Sequence, residues 1–241
     1  MDVGQFTLHA RLEDHHWWFA ARRAIIFQVL SRYLPPDRQR LVLEIGCGTA
    51  GNLRFLQEHY RVMGVDIAPE AVRFARERID CPILEGDFRE LFPEAFPEVD
   101  AVLLADVLEH VEDDREFLAD VLKRLRPGGV VLVTVPAHGF LWSGHDVVLG
   151  HRRRYSRERF RQVWQGLPVE EEFLTPFNSM LFPLIALYRF ISKGRNERSD
   201  LTLPSAPVNN MLYRLFCLEK VVLKTGPLPW GVSLLALLKK I

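Results

Sequence analysis

Residues 41–52 read LVLEIGCGTAGN and set glycines at Gly46, Gly48 and Gly51. That G-x-G-x-x-G spacing, between an apolar run and a helical pattern, lets backbone approach a nucleotide closely. Asp66 ends the next apolar run, eighteen residues after Gly48. A carboxylate there can accept both hydroxyls of an adenosine ribose. Glu44 bears on which adenosine ligand this is. A buried carboxylate beside the loop repels a pyrophosphate, the more so in a low dielectric. It suits a ligand with a cationic amine and a sulfonium centre. Two later runs also end in acids, Asp87 in Gly86-Asp87-Phe88 and Asp106 in LLADVLEHV. Asp87 can accept the adenine amino proton while Phe88 lies against the ring. Four carboxylates around one cleft fit a cation better than a dinucleotide.

The elements that carry these residues alternate. Short apolar runs at 41–46, 61–67, 81–87, 99–107 and 130–138 read as strands, with helical patterns from about 52 to 60, over 69–78 and over 112–126. Pro69 suits a first helical position, and Pro127-Gly128-Gly129 stops the third of these helices. Such alternation predicts an α/β fold, a parallel sheet with helices on both faces, whose ligands bind at the carboxyl ends of the strands. HHWWFAARRAIIFQVLSRYL (15–34) reads as one amphipathic helix ending at Pro35-Pro36. Further strands are expected at 169–177 and 232–240, with a helical insertion between them that Pro183 interrupts.

With 241 residues, 48% of them hydrophobic, the chain can bury a sizeable core. Lys and Arg total 31, as do Asp and Glu, so bulk charge gives no reason to expect a nucleic-acid partner. Scattered Cys47, Cys81 and Cys217 suggest a reducing, cytoplasmic setting without disulfides. The N-terminal stretch is charged and aromatic, unlike a secretory signal, and no run is apolar enough to predict a spanning helix.

LEIGCGTAGN, VMGVDIAPEAV, EGDFREL, DAVLLADVLEHVED and LKRLRPGGVVLVTVP, over roughly 41–136, together resemble the class I S-adenosylmethionine-dependent methyltransferases. The resemblance implies a Rossmann-like seven-stranded sheet in the order 3-2-1-4-5-7-6 with an antiparallel last strand. It implies that Gly46 and Gly48 approach the methionine part of S-adenosylmethionine, Asp66 the ribose, Asp87 the adenine and Asp106 the amino acid end. Glu44, Cys47, Asn52, Ile67, Phe88 and Val107 complete the expected donor site. HWWFAARR and GHRRRYS further resemble bacterial methyltransferases of unassigned substrate, many of them associated with cell-surface or lipid chemistry. The expected organisation is a helical lid over 1–36, a donor-binding core over 37–175, an insertion over 176–231 and a final strand over 232–241.

Transfer of an activated methyl group needs alignment, and a base where the acceptor is a hydroxyl. His110, His145, His151 and Tyr155 are the candidates for that base or for a neighbouring catalytic role. Asp106-x-x-Glu109-His110 is also similar to the metal-binding Glu-x-x-Glu-His of small-RNA 2′-O-methyltransferases, and His138 could complete such a set; a structural role for His110 is the alternative, and no metal is assigned. His145 and Asp146, being neighbours, form no relay by adjacency. Arg152–Arg154 could bind an anion, or form a solvated basic turn before a helix capped by Ser156. Trp17 and Trp18 diverge by about 100° on a helix, so one can pack on the core while the other faces the cleft. Trp18, Arg22, His138 and Arg153 are therefore candidates for holding the acceptor. The expected acceptor is a small or lipid-linked molecule methylated at oxygen. Lys193, Arg195, Lys220 and Lys224 beside apolar stretches keep peripheral membrane contact open, and the insertion could equally form a homodimer contact. A nicotinamide-dependent oxidoreductase and a non-catalytic donor-binding protein are the rival readings.

Overall fold

The computed structural model describes residues 3–191 and 202–241. Seven strands form one sheet: β1 (Asp37–Ile45), β2 (Tyr60–Asp66), β3 (Ile83–Glu85), β4 (Val99–Ala105), β5 (Val130–Pro136), β6 (Val169–Phe177) and β7 (Ser233–Lys240). Their order is β3-β2-β1-β4-β5-β7-β6. Strands β1 to β5 pair in parallel, and β7 runs antiparallel to both β5 and β6. The expected Rossmann-like order is therefore the observed one.

Both faces of the sheet are covered because its strands are apolar on both sides. In β5 all seven residues are buried. Val130 and Leu132 join one apolar cluster, while Val131, Val133 and Val135 join the other, as the two-residue strand period requires. On the first face lie α2 (Trp17–Tyr33), α3 (Gly51–Leu56) and α4 (Pro69–Arg78). On the second lie α5 (Phe88–Leu91), α6 (Asp114–Arg124) and α8 (Arg157–Gln162). Asp113 caps α6 by accepting from the Glu116 N–H at 2.8 Å.

The helix expected over 15–34 is present as α2. A separate helix, α1 (Val3–Leu12), precedes α2. The chain restarts at His16, whose ring accepts from the Trp18 N–H at 3.2 Å and so caps α2. The 136–156 stretch holds a short 3₁₀ turn (Gly139–Leu141) and α7 (Gly144–Leu149), which opens on a capping box between Ser143 and Asp146.

The insertion supplies α9 (Phe182–Ile191) and α10 (Ala206–Val222). Pro183 occupies the second position of α9, where its missing N–H costs nothing, so it begins the helix rather than interrupting it. Helix α10 docks on α2: Gln28 donates to the Lys220 carbonyl at 2.7 Å, and Phe216 stacks on Trp18 with ring centres 5.5 Å apart. The buried Glu219 carboxylate accepts the backbone N–H groups of Asn178, Ser179 and Met180 at 2.6–3.0 Å, fixing the turn after β6. Helix α9 buries none of its residues. Lys193 and Arg195 lie outside the described residues. Among the described residues no helix is long and apolar enough to cross a membrane.

Candidate active site

The strand ends of β1, β2 and β4 open into a cavity of about 670 Å³, roofed by α1, α2, α7 and α9. The glycine loop forms its floor. Gly46 and Cys47 both donate to the Val65 carbonyl, at 2.8 and 3.1 Å, which ties the loop to β2. Gly46 has φ +74°, and a Cβ there would strike Val107 at 2.7 Å. Gly48 has φ +54° and faces open space, the cradle a ligand backbone contact needs. The third glycine has a different reason. A Cβ on Gly51 would meet the Glu13 carboxyl at 2.5 Å.

Glu13, at the end of α1, was not singled out by the sequence reading. It accepts from the Thr49 hydroxyl at 2.5 Å and pairs with Arg78, which also donates to the Thr49 carbonyl at 2.8 Å. Arg54 and Arg78 both meet the neighbouring Asp14. These contacts pin the N-terminal segment across the glycine loop. No spacing rule connects Glu13 to Gly51, so only the fold reveals the pairing.

Glu44 is 1% exposed; its Oε1 accepts from Asn52 at 2.7 Å and its Oε2 has no partner. Burial raises its pKa to about 8, against the Asn52 hydrogen bond that lowers it. Asp66 accepts the N–H groups of Gly48 and Ala68 at 2.8 and 2.9 Å, with burial raising its pKa despite those bonds. Beside it Ile67 is 75% exposed on the cavity wall, an apolar side chain placed to lie against a base. Asp106, at φ +60°, accepts from the Thr134 hydroxyl at 2.9 Å and pairs with Arg22 from α2. Arg22, expected at the acceptor, lines the same cavity and sets a guanidinium beside the Asp106 carboxylate.

Other expected residues sit differently. Phe88 packs into the core, 5.1 Å from Phe117 and 2% exposed, and lines the cavity beside Asp87. Asp87 caps α5 and forks with Arg89 at 3.0–3.2 Å; burial pulls its pKa up, but those bonds hold it below the ordinary range. The Cys47 thiol turns toward Gly64 in the core, leaving only its backbone for the loop's work. Tyr155 is fully buried, donating to Asp114 at 2.8 Å, and burial raises its pKa; it holds the 106–114 loop and does not line the cavity. The arginine run is occupied by carbonyls that no strand or helix satisfies. Arg152 donates to His110, Arg153 to Val111 and Glu112, and Arg154 to Ala137. Arg153 is therefore no acceptor site, and His138, at φ +59° between Phe140 and Phe182, is not on the cavity wall.

His110, His145 and His151 do gather on one side of the cavity. Asp146 pairs with His151, five residues on, rather than with adjacent His145: its Oδ1 lies 2.9 Å from His151 Nδ1. Burial opposes the Asp146 charge, but His151 and Arg154 outweigh it and lower its pKa. Burial pushes the His145 pKa down to about 3 and that of His110 to about 4, so both are neutral imidazoles. Glu109 is fully buried beneath them with neither carboxylate oxygen partnered. Asn178, fully buried at φ +58°, also lines the cavity with its amide unpartnered, and sequence gave no sign of it. Trp18 stacks on Phe177 and Phe216 and presents its remaining edge to the same space.

The comparisons agree with this geometry. Residues 43–133 match the family described as a methyltransferase domain. A "probable S-adenosylmethionine-dependent methyltransferase" of Mycolicibacterium smegmatis is 30% identical over 70% of this chain and 66% of its own length. A trans-aconitate 2-methyltransferase of an Azoarcus species is 31% identical over 49% of this chain. The match spans just under two thirds of the first relative and 47% of the second. The crystal structure of a SAM-dependent methyltransferase from Archaeoglobus fulgidus superposes with a TM-score of 0.58, covering 90% of this chain and 94% of that one at 18% identity. The chain thus carries a methyltransferase domain over residues 43–133 and has the fold of a solved S-adenosylmethionine-dependent methyltransferase. S-adenosylmethionine is the cofactor that these matches support.

Proposed function

We propose that this protein transfers a methyl group from S-adenosylmethionine to an oxygen of a small or lipid-linked acceptor. One observation carries the reading: Arg22, Glu44, Glu109 and Asn178, each with unpartnered buried polar atoms, line a single cavity, while Arg78 and His138 are the described residues with such atoms away from it. Buried polar groups are costly without partners, so this distribution marks where ligands complete the structure. The residues fit the donor. Glu44 Oε2 and Asp106 suit its ammonium group, Arg22 its carboxylate, Asp66 its ribose and Ile67 its base. Bound there, the donor supplies a methyl group already activated on a sulfonium, and an oxygen acceptor must then give up one proton.

The histidine side of the cavity answers that need. The Asp146 carboxylate fixes the orientation of His151 and leaves its Nε2 toward the cavity side. His110 and His145, neutral near pH 7, offer lone pairs there as weak bases, since burial disfavours their protonated forms. Asn178 and Trp18 would hold the rest of the acceptor. Helix α9 supports the lipid-linked alternative: Leu184, Leu187, Phe190 and Ile191 are exposed, while Tyr188 and Arg189 line the cavity. A bilayer touched by that helix could pass an acceptor directly inward.

The test is calorimetric titration with S-adenosylmethionine and S-adenosylhomocysteine, followed by a screen with methyl-labelled donor against hydroxyl, carboxyl and amine acceptors. The expected result is donor binding that Asp66→Ala abolishes, and label on an oxygen. Donor binding with label only on nitrogen refutes the oxygen assignment. Donor binding with no transfer to any acceptor supports the non-catalytic reading. Donor affinity untouched by Asp66→Ala refutes the placement of the donor.

A further inference from the structure

Glu109, His110 and His151 each offer a ligand atom, and these atoms lie within 4.8 Å of one another. His151 Nε2 is 4.0 Å from Glu109 Oε1. The sequence pattern pointed to a set closed by His138, but His138 lies elsewhere, and the residue that closes the cluster comes from the loop after α7. From their surroundings we infer that these three side chains form a binding site for a first-row divalent cation, on the acceptor side of the donor cavity.

Three features support it. Glu109 is 0% exposed, and both its oxygens lack a hydrogen-bond donor. A carboxylate so placed needs either a proton or a cation. Next, both imidazoles already have a hydrogen-bond partner behind them. His151 Nδ1 faces Asp146 Oδ1 at 2.9 Å, and His110 makes a backbone hydrogen bond with Gly150. A carboxylate or carbonyl behind each histidine is the usual support of a metal-binding ring, because it fixes the tautomer and the ring plane. Finally, two imidazoles and one carboxylate suit zinc, cobalt, iron or manganese better than calcium or magnesium. Metal–ligand bonds of about 2.1 Å place ligand atoms roughly 3–3.5 Å apart, so the cluster needs to contract by about 1 Å. Local charge also favours a cation. Glu109, Asp106 and Asp146 face Arg22 and Arg154, with Arg22 paired to Asp106 and Arg154 to Asp146. Glu109 is the carboxylate left over.

Three protein ligands leave coordination positions open toward the cavity. They would take an acceptor presenting one or two oxygen donors, such as a hydroxy acid or a diol. That role rests on the methyltransferase reading; cation binding by the three residues does not.

The experiment uses the full chain, stripped with chelator and dialysed against Zn²⁺ or Co²⁺. Bound metal is measured by mass spectrometry and Co²⁺ by its visible ligand-field absorption. S-adenosylhomocysteine affinity is measured in the same preparations. The expected result is one equivalent of metal. Glu109→Gln and His151→Gln should each weaken binding by tenfold or more, and Asp146→Asn by about tenfold through lost orientation. Should Glu109→Gln fail to fold, His110→Gln at the half-exposed rim carries the same test. Two results overturn the site: no stoichiometric metal in protein that binds S-adenosylhomocysteine, or metal binding that survives all these substitutions. Failure of donor binding, by contrast, counts against the methyltransferase reading alone.

Discussion

Replacing Glu44 by glutamine should stabilise the donor-free protein and weaken its grip on the donor. The carboxyl is raised from 4.5 to about 8, mainly by burial. The folded chain therefore holds a proton on Glu44 that the unfolded chain has released. As pH rises from about 4.5 to about 8, stability falls by about 1.4 kcal/mol per pH unit, and the accumulated cost reaches about 5 kcal/mol. Below that window both states are protonated, and above it both are ionised, so the contribution is flat on either side. Glutamine keeps an acceptor for Asn52, which bonds Glu44 Oε1 at 2.7 Å, but it has nothing to ionise. Urea melts at about pH 5, 6.5 and 8 should show the variant gaining on the wild type across the window. Donor binding runs the other way. A cationic ammonium beside Oε2 draws the proton off, so wild-type affinity should rise with pH below about 8 as one proton is released on binding. The variant should lose this dependence and bind the donor about 10- to 100-fold more weakly, the value of a charge-assisted hydrogen bond. Calorimetry in buffers of different ionisation enthalpy counts the proton. Parallel stability profiles for the two proteins, or equal donor affinity at every pH, would refute the reasoning.

Gly51→Ala drives a Cβ onto the Glu13 carboxyl, so it should cost about 1–3 kcal/mol and loosen the N-terminal segment, read as faster proteolysis before α2 and weaker donor binding. Asn178→Gly keeps the left-handed backbone and removes only the unpartnered amide. Stability should hold within about 1 kcal/mol while the Michaelis constant for the acceptor rises about tenfold; an unchanged constant would remove Asn178 from the acceptor site. Tyr155→Phe should lower stability by about 1–2 kcal/mol through loss of the Asp114 bond and leave the rate of transfer largely intact, as measured by urea melts and initial rates.

The residues proposed to hold the donor were legible as a group because they are local to strand ends. Glu44, Gly46, Gly48 and Asp66 fall on β1, β2 and the turn between β1 and α3, where the strand period and the glycine spacing fix their direction. The parallel sheet followed from the same alternation, and its strand order from the family resemblance alone. What the sequence could not show is pairing across long separations. Arg22 meets Asp106 across 84 residues, and Glu13 meets Thr49 across 36. Residue type misled in the same way at Arg153 and Tyr155. A guanidinium and a phenol each suit a site, yet here they meet needs of the core and of unsatisfied carbonyls.

Asn178 shows why the acceptor side was the less legible. Its side chain reaches the cavity because its backbone is held at φ +58°, and three turn N–H groups on one buried carboxylate, Glu219 of α10, support that conformation. Asp106, at φ +60°, is likewise aimed by Thr134 and Arg22 rather than by its own neighbours. A left-handed non-glycine residue costs of order 1–3 kcal/mol and persists only where surrounding contacts fix it. Those contacts come from β5, α2 and the insertion, elements remote in sequence from the residues they hold. The proposed donor residues sit mostly at the ends of neighbouring strands β1, β2 and β4, whereas the proposed acceptor side also draws on α2, the 144–154 segment and the turn that α10 fixes. On the proposed function, the acceptor side draws on Glu109 and His110 inside the 43–133 family match and on α2, the 144–154 segment and the turn after β6 outside it.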